Sequence, residues 1–389
     1  MIKDQNKNQL PKDWNVGTFA DLLDYIQPTK YIVESTEYDD SYKTPVLTAG
    51  KSFIKGYTNE THGIFNSLPV IIFDDFTTAT KFVNFPFKVK SSAMKILAPK
   101  TSSSNIKFAF YLMQTVRISF DTHKRYWISV YSKTKIPLPS PKIQQAIVSK
   151  IEELFSELDK GIENLRTAQQ QLKTYRQSVL KWAFVNDSFK NFLLKDITEK
   201  IQIGPFGTQL HKEDYIENGI PLINPTHIKD GFIVSDNSFT ILKSKRDSLP
   251  NYILKEGDVI MGRRGEMGRC GLVTKKEVGW FCGTGSLYFR PDKKKVNPLF
   301  LYYNLRSEPV KKYLDYNAGG TTMANLNLKI VNEIPISLPS IEEQNNIVQE
   351  IESRLSVADK MEESITQSLQ QAEALRQSIL KKAFEGKLI

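Results

Sequence analysis

The chain has 389 residues, 40% of them hydrophobic and 25% charged, and carries a formal net charge of +10. That length supports about two to three domains with cores of their own, no apolar run approaches the ~18 residues of a membrane span, and the excess of cations favours an anionic partner, most commonly nucleic acid. Two cysteines, Cys270 and Cys282, make neither a disulfide framework nor a metal set, and His62, His123, His211 and His227 lack metal-ligand spacing.

In chain order, the opening "MIKDQNKNQLPKDW" lacks the apolar stretch of a secretory signal, so a reducing cytoplasm is the expected compartment. A first variable block, roughly residues 12–135, alternates β-rich runs with Gly, Pro and Asn turns. "TPVLTAG", "LPVIIFDDF", "KFVNFPFKVK" and "SAMKILAP" predict strands, and "NIKFAFYLMQTV" predicts a helix. Inside it, "TAGKSF" (48–53) and "VIIFDD" (70–75) imitate an ATPase. The imitation fails: the first glycine of a phosphate-wrapping loop would fall at Pro45, and the strand follows Ser52 too closely for the intervening helix and strand.

The next block is helical. Stepping alternately by four and three from Ile147 meets Ile151, Leu154, Leu158, Gly161, Leu165, Ala168, Leu172, Tyr175, Val179 and Trp182, a heptad seam broken at Gly161. About 42 helical residues would make a rod of about 60 Å that cannot bury its stripe alone. A second variable block, roughly 188–335, again reads as strands ("IPLINPTHI", "GDVIMGRRG", "RCGLVTKK", "SLYFRP") followed by helix ("NPLFLYYNLRSEPVKKYLDY"). "TPVLTAGKSFIKGY" sits like "IPLINPTHIKDGF", with Pro45 against Pro221 and Gly56 against Gly231.

The last block repeats the helical one. Ile136 to Phe184 aligns without a gap on Ile336 to Phe384 at a constant offset, with 22 of the 49 pairs identical, including the "LPS" start and the "AF" end. Its seam runs through Ile347, Ile351, Ile365, Leu375 and Ile379, and is poorer, with Arg354, Ser368 and Lys382 on it. The simplest partner for the first rod is the second.

No chemistry-bearing motif survives. "GRRGEMG" (262–268) is not a dinucleotide fingerprint, "NPTH" (224–227) is not the Asn/Asp-Pro-Pro-aromatic motif of amino-methyltransferases, and no Ser/His/Asp set is legible. The chain reads as non-catalytic, with no catalytic and no metal-binding residue. Several features suit DNA. Arg263, Arg264 and Arg269 crowd a Gly-rich turn after a strand, where guanidinium groups can pair with guanine edges or phosphates. "HKRYW" (123–127), basic and aromatic, and "GGTTMANLN" (319–327), small and polar, precede the two helical blocks at similar distances. The candidate DNA-contacting residues are Lys51, Lys55, Lys124, Arg125, Lys229, Arg263, Arg264, Arg269, Thr321, Thr322 and Asn325.

With the variable–conserved–variable–conserved plan, the starts "IPLPSPKIQQAIV" and "ISLPSIEEQNNIV", the ends "RQSVLKWAF" and "RQSILKKAF", and the closing "FEGKLI", the chain resembles the specificity subunits of type I restriction–modification systems. "IPLINPTHIKDGFI", "GDVIMGRRGEMG", "GGTTMANLNLKIV" and "PVIIFDDFTTATKFVNFPFKVKSSAMKILAP" resemble target recognition segments, and "QPTKY", "PVLTAGKSFIKGYTNETHGIF" and "HKRYWIS" the first target domain of the type IC subfamily. The resemblance covers nearly the whole chain. It implies two globular α/β (α+β) target recognition domains, residues 1–135 and 188–335, and two long antiparallel coiled-coil helices, within 136–187 and 336–389, in a pseudo-twofold arrangement.

It also implies that each domain reads one half of a split, asymmetric site in double-stranded DNA, and that the helices act as a spacer. Two methyltransferase subunits and restriction/motor subunits are the implied partners. S-adenosylmethionine, ATP and Mg are expected on those subunits and no cofactor on this one. Two rivals stand beside this reading: a fused methyltransferase or nuclease, which needs cofactor motifs the chain lacks, and a coiled-coil scaffold that binds only proteins, which salt-sensitive DNA binding would separate.

Overall fold

The computed structural model describes residues 10–48, 52–116, 125–184, 189–318 and 325–389. The first block contains β1 (Asn15–Thr18), α1 (Phe19–Leu22), β2 (Leu23–Ile26), β3 (Thr44–Leu47), β4 (Ile54–Thr58), β5 (Val70–Asp74), β6 (Thr80–Val83), β7 (Lys88–Val89), β8 (Met94–Pro99), α2 (Ile106–Met113), α3 (Tyr126–Ser129) and β9 (Lys135–Leu138), and leads into the long helix α4 (Pro141–Phe184). The second contains β10 (Lys190–Leu193), β11 (Thr198–Ile203), β12 (Tyr215–Ile216), β13 (Ile220–Ile223), β14 (Ile228–Lys229), β15 (Phe232–Ile233), β16 (Thr240–Ile241), α5 (Lys243–Ser248), β17 (Val259–Gly262), β18 (Cys270–Leu272), β19 (Phe281–Cys282) and β20 (Ser286–Pro291). It continues through α6 (Pro298–Leu305), α7 (Glu308–Ala318), α8 (Leu328–Asn332) and β21 (Pro335–Leu338) into the long helix α9 (Ile341–Phe384).

The chain packs as two compact units, residues 1–166 with 366–389, and residues 167–365. Each holds one variable block and one end of each long helix.

In the first unit, an antiparallel sheet of order β2-β8-β5-β6 stands against a second sheet, β4-β3-β7, in which β3 and β7 run parallel. The run "VIIF" alternates across the first sheet, as strand geometry requires. Ile71 and Phe73 join a core with α2, Tyr131 and the helix residues Ile147, Ile151, Phe155, Ile379, Leu380 and Phe384, while Val70 and Ile72 face Leu47, Phe65 and Val89. Both faces of the sheet are therefore covered, which is why its central strand is apolar at consecutive positions. Asn105 caps α2 by accepting from Phe108 N–H at 3.0 Å, and its amide also donates to Gln145 of α4 at 3.0 Å.

The second unit repeats this plan. The sheet β11-β20-β17-β18 is antiparallel, and β13 pairs antiparallel with β16 and parallel with β19. Val259 and Met261 face α6 and the helix residues Val179, Phe184, Val348 and Ile351; Ile260 and Tyr288 face the other sheet. Asn297 caps α6 and donates to Asn345 of α9 at 2.7 Å, as Asn105 does to Gln145. The expected match of Pro45 with Pro221 is seen, since the next residues, Val46 and Leu222, open the parallel pairings with Lys88 and Phe281. The match of Gly56 with Gly231 is not. Gly56 lies within β4, whereas Gly231 (φ 91°) turns the hairpin β14–β15, which has no counterpart among the described residues of the first unit.

The long helices begin and end alike. Gln144 and Gln344 are buried one turn in, and each donates its side-chain amide to the carbonyl of a preceding proline, Pro139 at 2.9 Å and Pro339 at 3.0 Å. At the far ends Phe184 packs edge-on against Phe300, and Phe384 against Phe108, both at 5.3 Å. Of the expected seam, Ile147, Ile151, Ile351, Ile365 and Ile379 are buried, and Leu154, Leu158, Leu165, Leu172 and Ile347 are half-buried. Leu375 is 51% exposed and is not on the seam. A straight helix drifts about 20° per heptad from a 3.5 repeat, and the inward place is taken by Arg376, whose guanidinium lies 4.3 Å over the Phe155 ring.

Candidate DNA interface

In the second unit, one edge of the four-stranded sheet gathers the end of β11, the start of β20, the end of β17 and the start of β18, because Ile203 pairs with Leu287, Gly262 with Ser286 and Met261 with Cys270. The turns there interlock. Arg263 N–H donates to Gly285 O at 2.9 Å, and Leu326 N–H to Arg263 O at 3.0 Å. Asn325 bridges Arg264. Gly204 N–H donates to Ser286 O, and a Cβ on Gly204 would fall 1.9 Å from Gly283 O, so these two turns can approach only with glycine. Gly265 turns the Arg-rich loop at φ 83°.

The three arginines of this loop differ in role. Arg264 is exposed. Arg263 is half-buried, its Nε donating to Leu326 O at 3.0 Å; burial, and then the charge of Arg264, draw its pKa below the ordinary value for arginine. Arg269 braces the loop, donating to Pro225 O at 3.3 Å and meeting Glu266 at 3.4 Å. Among the described residues, no carboxylate pairs with Arg263 or Arg264. The buried Oδ1 of Asn325 beside them has no hydrogen-bond partner among the described residues. Two guanidinium groups without a carboxylate partner among the described residues suit acceptor-rich base edges or phosphates.

The first unit builds the same edge from different side chains. Asp75 stands where Arg263 does: its N–H donates to Ala93 O at 3.1 Å, and its carbonyl accepts from Tyr126 N–H at 3.0 Å. Arg125 thus occupies the place of Asn325, at the same offset that relates the long helices. Asp75 is buried, accepting from Trp127 N–H at 2.8 Å and lying 3.5 Å from the buried Lys95. Of "HKRYW", Tyr126 and Trp127 are core residues, 4% and 3% exposed, and Arg125 is exposed. The expectation of a basic and aromatic surface therefore fails for these two rings.

Lys55 is exposed on β4, and Lys229 is exposed on the hairpin β14–β15. Lys51, Lys124, Thr321 and Thr322 lie outside the described residues. His227 is structural: its Nδ1 accepts from Asn224 N–H at 3.1 Å, and burial lowers its pKa. Two residues at these edges escaped the sequence reading, Phe76 in the turn after β5 and Phe206 in the turn after β11, 47% and 67% exposed. No periodicity marks an exposed aromatic in a turn, so only the fold reveals them.

Two pseudo-equivalent α/β modules packed on repeated helices, with edges of differing polar groups, suit a recognition protein. Residues 11–166 and 186–373 match the family of the type I restriction modification DNA specificity domain, and the chain belongs to that family. It is similar to the specificity subunit of the type I restriction enzyme EcoR124I/EcoR124II of Escherichia coli, with 31% identity over 384 residues covering 92% of this chain and 90% of that one. The specificity subunit of MjaVIII of Methanocaldococcus jannaschii is 23% identical over 417 residues, covering 100% and 96%. In fold it matches a solved chain of a type I R-M system (TM-score 0.73, 18% identity, 97% and 99% covered) and the HsdS subunit from Thermoanaerobacter tengcongensis (TM-score 0.55, 18% identity, both chains fully covered). The chain is a DNA-specificity subunit and is non-catalytic. Among the described residues no helix is long and apolar enough to cross a membrane.

Proposed function

We propose that this chain reads a bipartite, asymmetric site in double-stranded DNA, one half-site per target recognition domain (residues 1–135 and 188–335), and presents that site to methyltransferase and motor–nuclease subunits in the cytoplasm. The helical segments 136–187 and 336–389 act as the spacer between the readers. S-adenosylmethionine, ATP and Mg belong to the partner subunits. One observation carries the reading: the two units repeat one hydrogen-bond plan, Ala93–Asp75–Tyr126 and Gly285–Arg263–Leu326, on edges whose polar groups differ. A protein that needed one reader twice would repeat its side chains as well as its backbone. Different side chains on one plan suit two different half-sites.

The test is transfer of labelled methyl groups to DNA by the purified chain, by its cognate methyltransferase, and by both together. The expected result is sequence-specific transfer by the pair alone, with affinity that falls steeply as salt rises. Reproducible transfer by the pure chain would overturn the reading.

A further inference from the structure

We infer that Phe76 and Phe206 are specificity-determining DNA contacts, one for each half-site, each placing an apolar ring against a base at the edge of its sheet. The inference rests on the proposed function and deepens it. A single exposed apolar side chain is ordinary on a protein surface. These two are set apart by where they stand. Phe206, 67% exposed, is carried by the turn Gly204–Gly207, whose Gly204 locks onto Ser286 at the edge that also holds Arg263, Arg264 and Asn325. Phe76, 47% exposed, lies next to Asp75, the counterpart of Arg263, at the edge that holds Arg125. Each edge therefore combines an exposed ring, an exposed guanidinium on the same edge and backbone turns that are already hydrogen-bonded.

The turns hold the rings outward. The Asp74 carboxylate accepts from Phe76 N–H at 2.7 Å and Thr77 N–H at 2.9 Å, and Thr78 adopts φ 58°. That left-handed conformation is strained for a β-branched residue. Bonds from Thr78 N–H to Asp74 O and from Asp74 N–H to Ala79 O, both 2.9 Å, close the turn, with Phe76 and Thr77 exposed at its tip. On the other edge Gly207 adopts φ 62°, and a Cβ added there would meet nothing within 4 Å, so the tip that carries Phe206 is open. An exposed ring on an edge that also carries a cation matches duplex DNA in two ways: it can cover a thymine methyl group in the major groove, or wedge between stacked bases. Both are apolar contacts to bases, and both read sequence.

The experiment maps methylated adenines in cells that carry the cognate methyltransferase with the parent chain, Phe76→Ala or Phe206→Ala. Each substitution is expected to relax base preference by roughly tenfold at one or two adjacent positions of a single half-site, the two affecting opposite halves. The untouched half-site reports that the chain has folded. Phe76→Leu and Phe206→Leu, which keep apolar bulk, should retain part of the preference. Deoxyuridine for thymine in the purified complex separates the two modes: a loss equal to that of the alanine variant identifies the methyl contact, and no loss identifies the wedge. A bipartite parent map that both alanine variants leave unchanged overturns this inference alone. A parent map without two half-sites overturns the proposed function, and this inference with it.

Discussion

Arg176 of α4 pairs with Asp359 of α9 at 2.5 Å in the second unit, and Arg376 of α9 pairs with Asp159 of α4 in the first. The four residues form one ion pair written twice at a single sequence offset. Each arginine is mostly buried and each aspartate mostly exposed, so each pair is worth about 0–1 kcal/mol. Arg176 also meets Glu362 at 2.6 Å, and Arg376 instead covers Phe155, which adds about 0.5–1 kcal/mol. Arg176→Ala and Arg376→Ala are therefore expected to destabilise the chain by roughly 1–2 kcal/mol each. Urea unfolding of the two variants checks this, and no change in either midpoint would mean that the repeated pair holds nothing in place.

Stability in acid should depend on Glu60. It accepts from the N–H groups of Glu34 and Ser35 at 3.0 and 2.9 Å and faces the buried Lys88 ammonium at 2.6 Å. Burial pushes its pKa up, but the bond from Lys88 and the two N–H groups together outweigh burial and hold it below the ordinary 4.5. Its stabilisation is then complete above pH 4.5 and is lost as pH falls through the lower folded value. Glu60→Gln should flatten the acid limb of a stability–pH curve. At neutral pH it should cost about 3–5 kcal/mol, because Lys88 is left buried without its counter-charge. An unaltered acid limb would show that the pair does not control acid unfolding.

Arg264 and Arg263 should fail differently. Arg264→Ala removes an exposed cation and leaves the loop standing. If it touches a base, one half-site relaxes by roughly 1–3 kcal/mol; if it touches a phosphate, affinity falls on every sequence and the salt slope drops by about one. Arg263→Ala also removes the bond to Leu326 O, so it should loosen the turn that carries Asn325 and reduce affinity further than Arg264→Ala. Competition binding of the assembled complex across single-base DNA variants distinguishes these outcomes, and unchanged affinity in both variants would take the loop out of the interface.

The repeat, the two helices and the central strands β5, β8, β13, β17 and β20 were legible in the sequence, because heptad spacing, alternation and turn residues are local signals. So was the match of Pro45 with Pro221. By contrast, β2, β4, β11, β12, β16 and β19 carry no such pattern and appear only in the folded sheets. The pairing of Gly56 with Gly231 was misleading, since similar strings had formed a strand in one block and a hairpin in the other. Tyr126 and Trp127 looked like surface because they follow a basic run, yet the carboxylate and carbonyl of Asp75, distant in sequence, draw their segment into the core. Leu375 kept the arithmetic of the heptad, but Arg376 holds the inward place. The proposed interface was only half legible: a run of arginines announces itself, whereas Phe76 and Phe206 stand out only by exposure and position, which the folded chain alone supplies.

The spacer role can be tested by length. Inserting four residues between Ala168 and Leu172 lengthens α4 by about 6 Å and leaves a stutter that a coiled coil absorbs locally. Both half-sites should keep their bases while the unread spacer grows by one or two base pairs, given a rise of about 3.4 Å per pair. A methylation map with altered half-sites, or with no preferred spacer, would show that the helices are not a ruler.

The central claim is that one chain joins two different readers at a fixed separation. Genome-wide mapping of methyladenine in cells expressing this chain with its cognate methyltransferase tests it most directly. The account predicts one motif with two short, unlike specified halves, an unspecified spacer of constant length and a methylated adenine in each half. A single uninterrupted motif, or two halves methylated at freely varying separation, would contradict it.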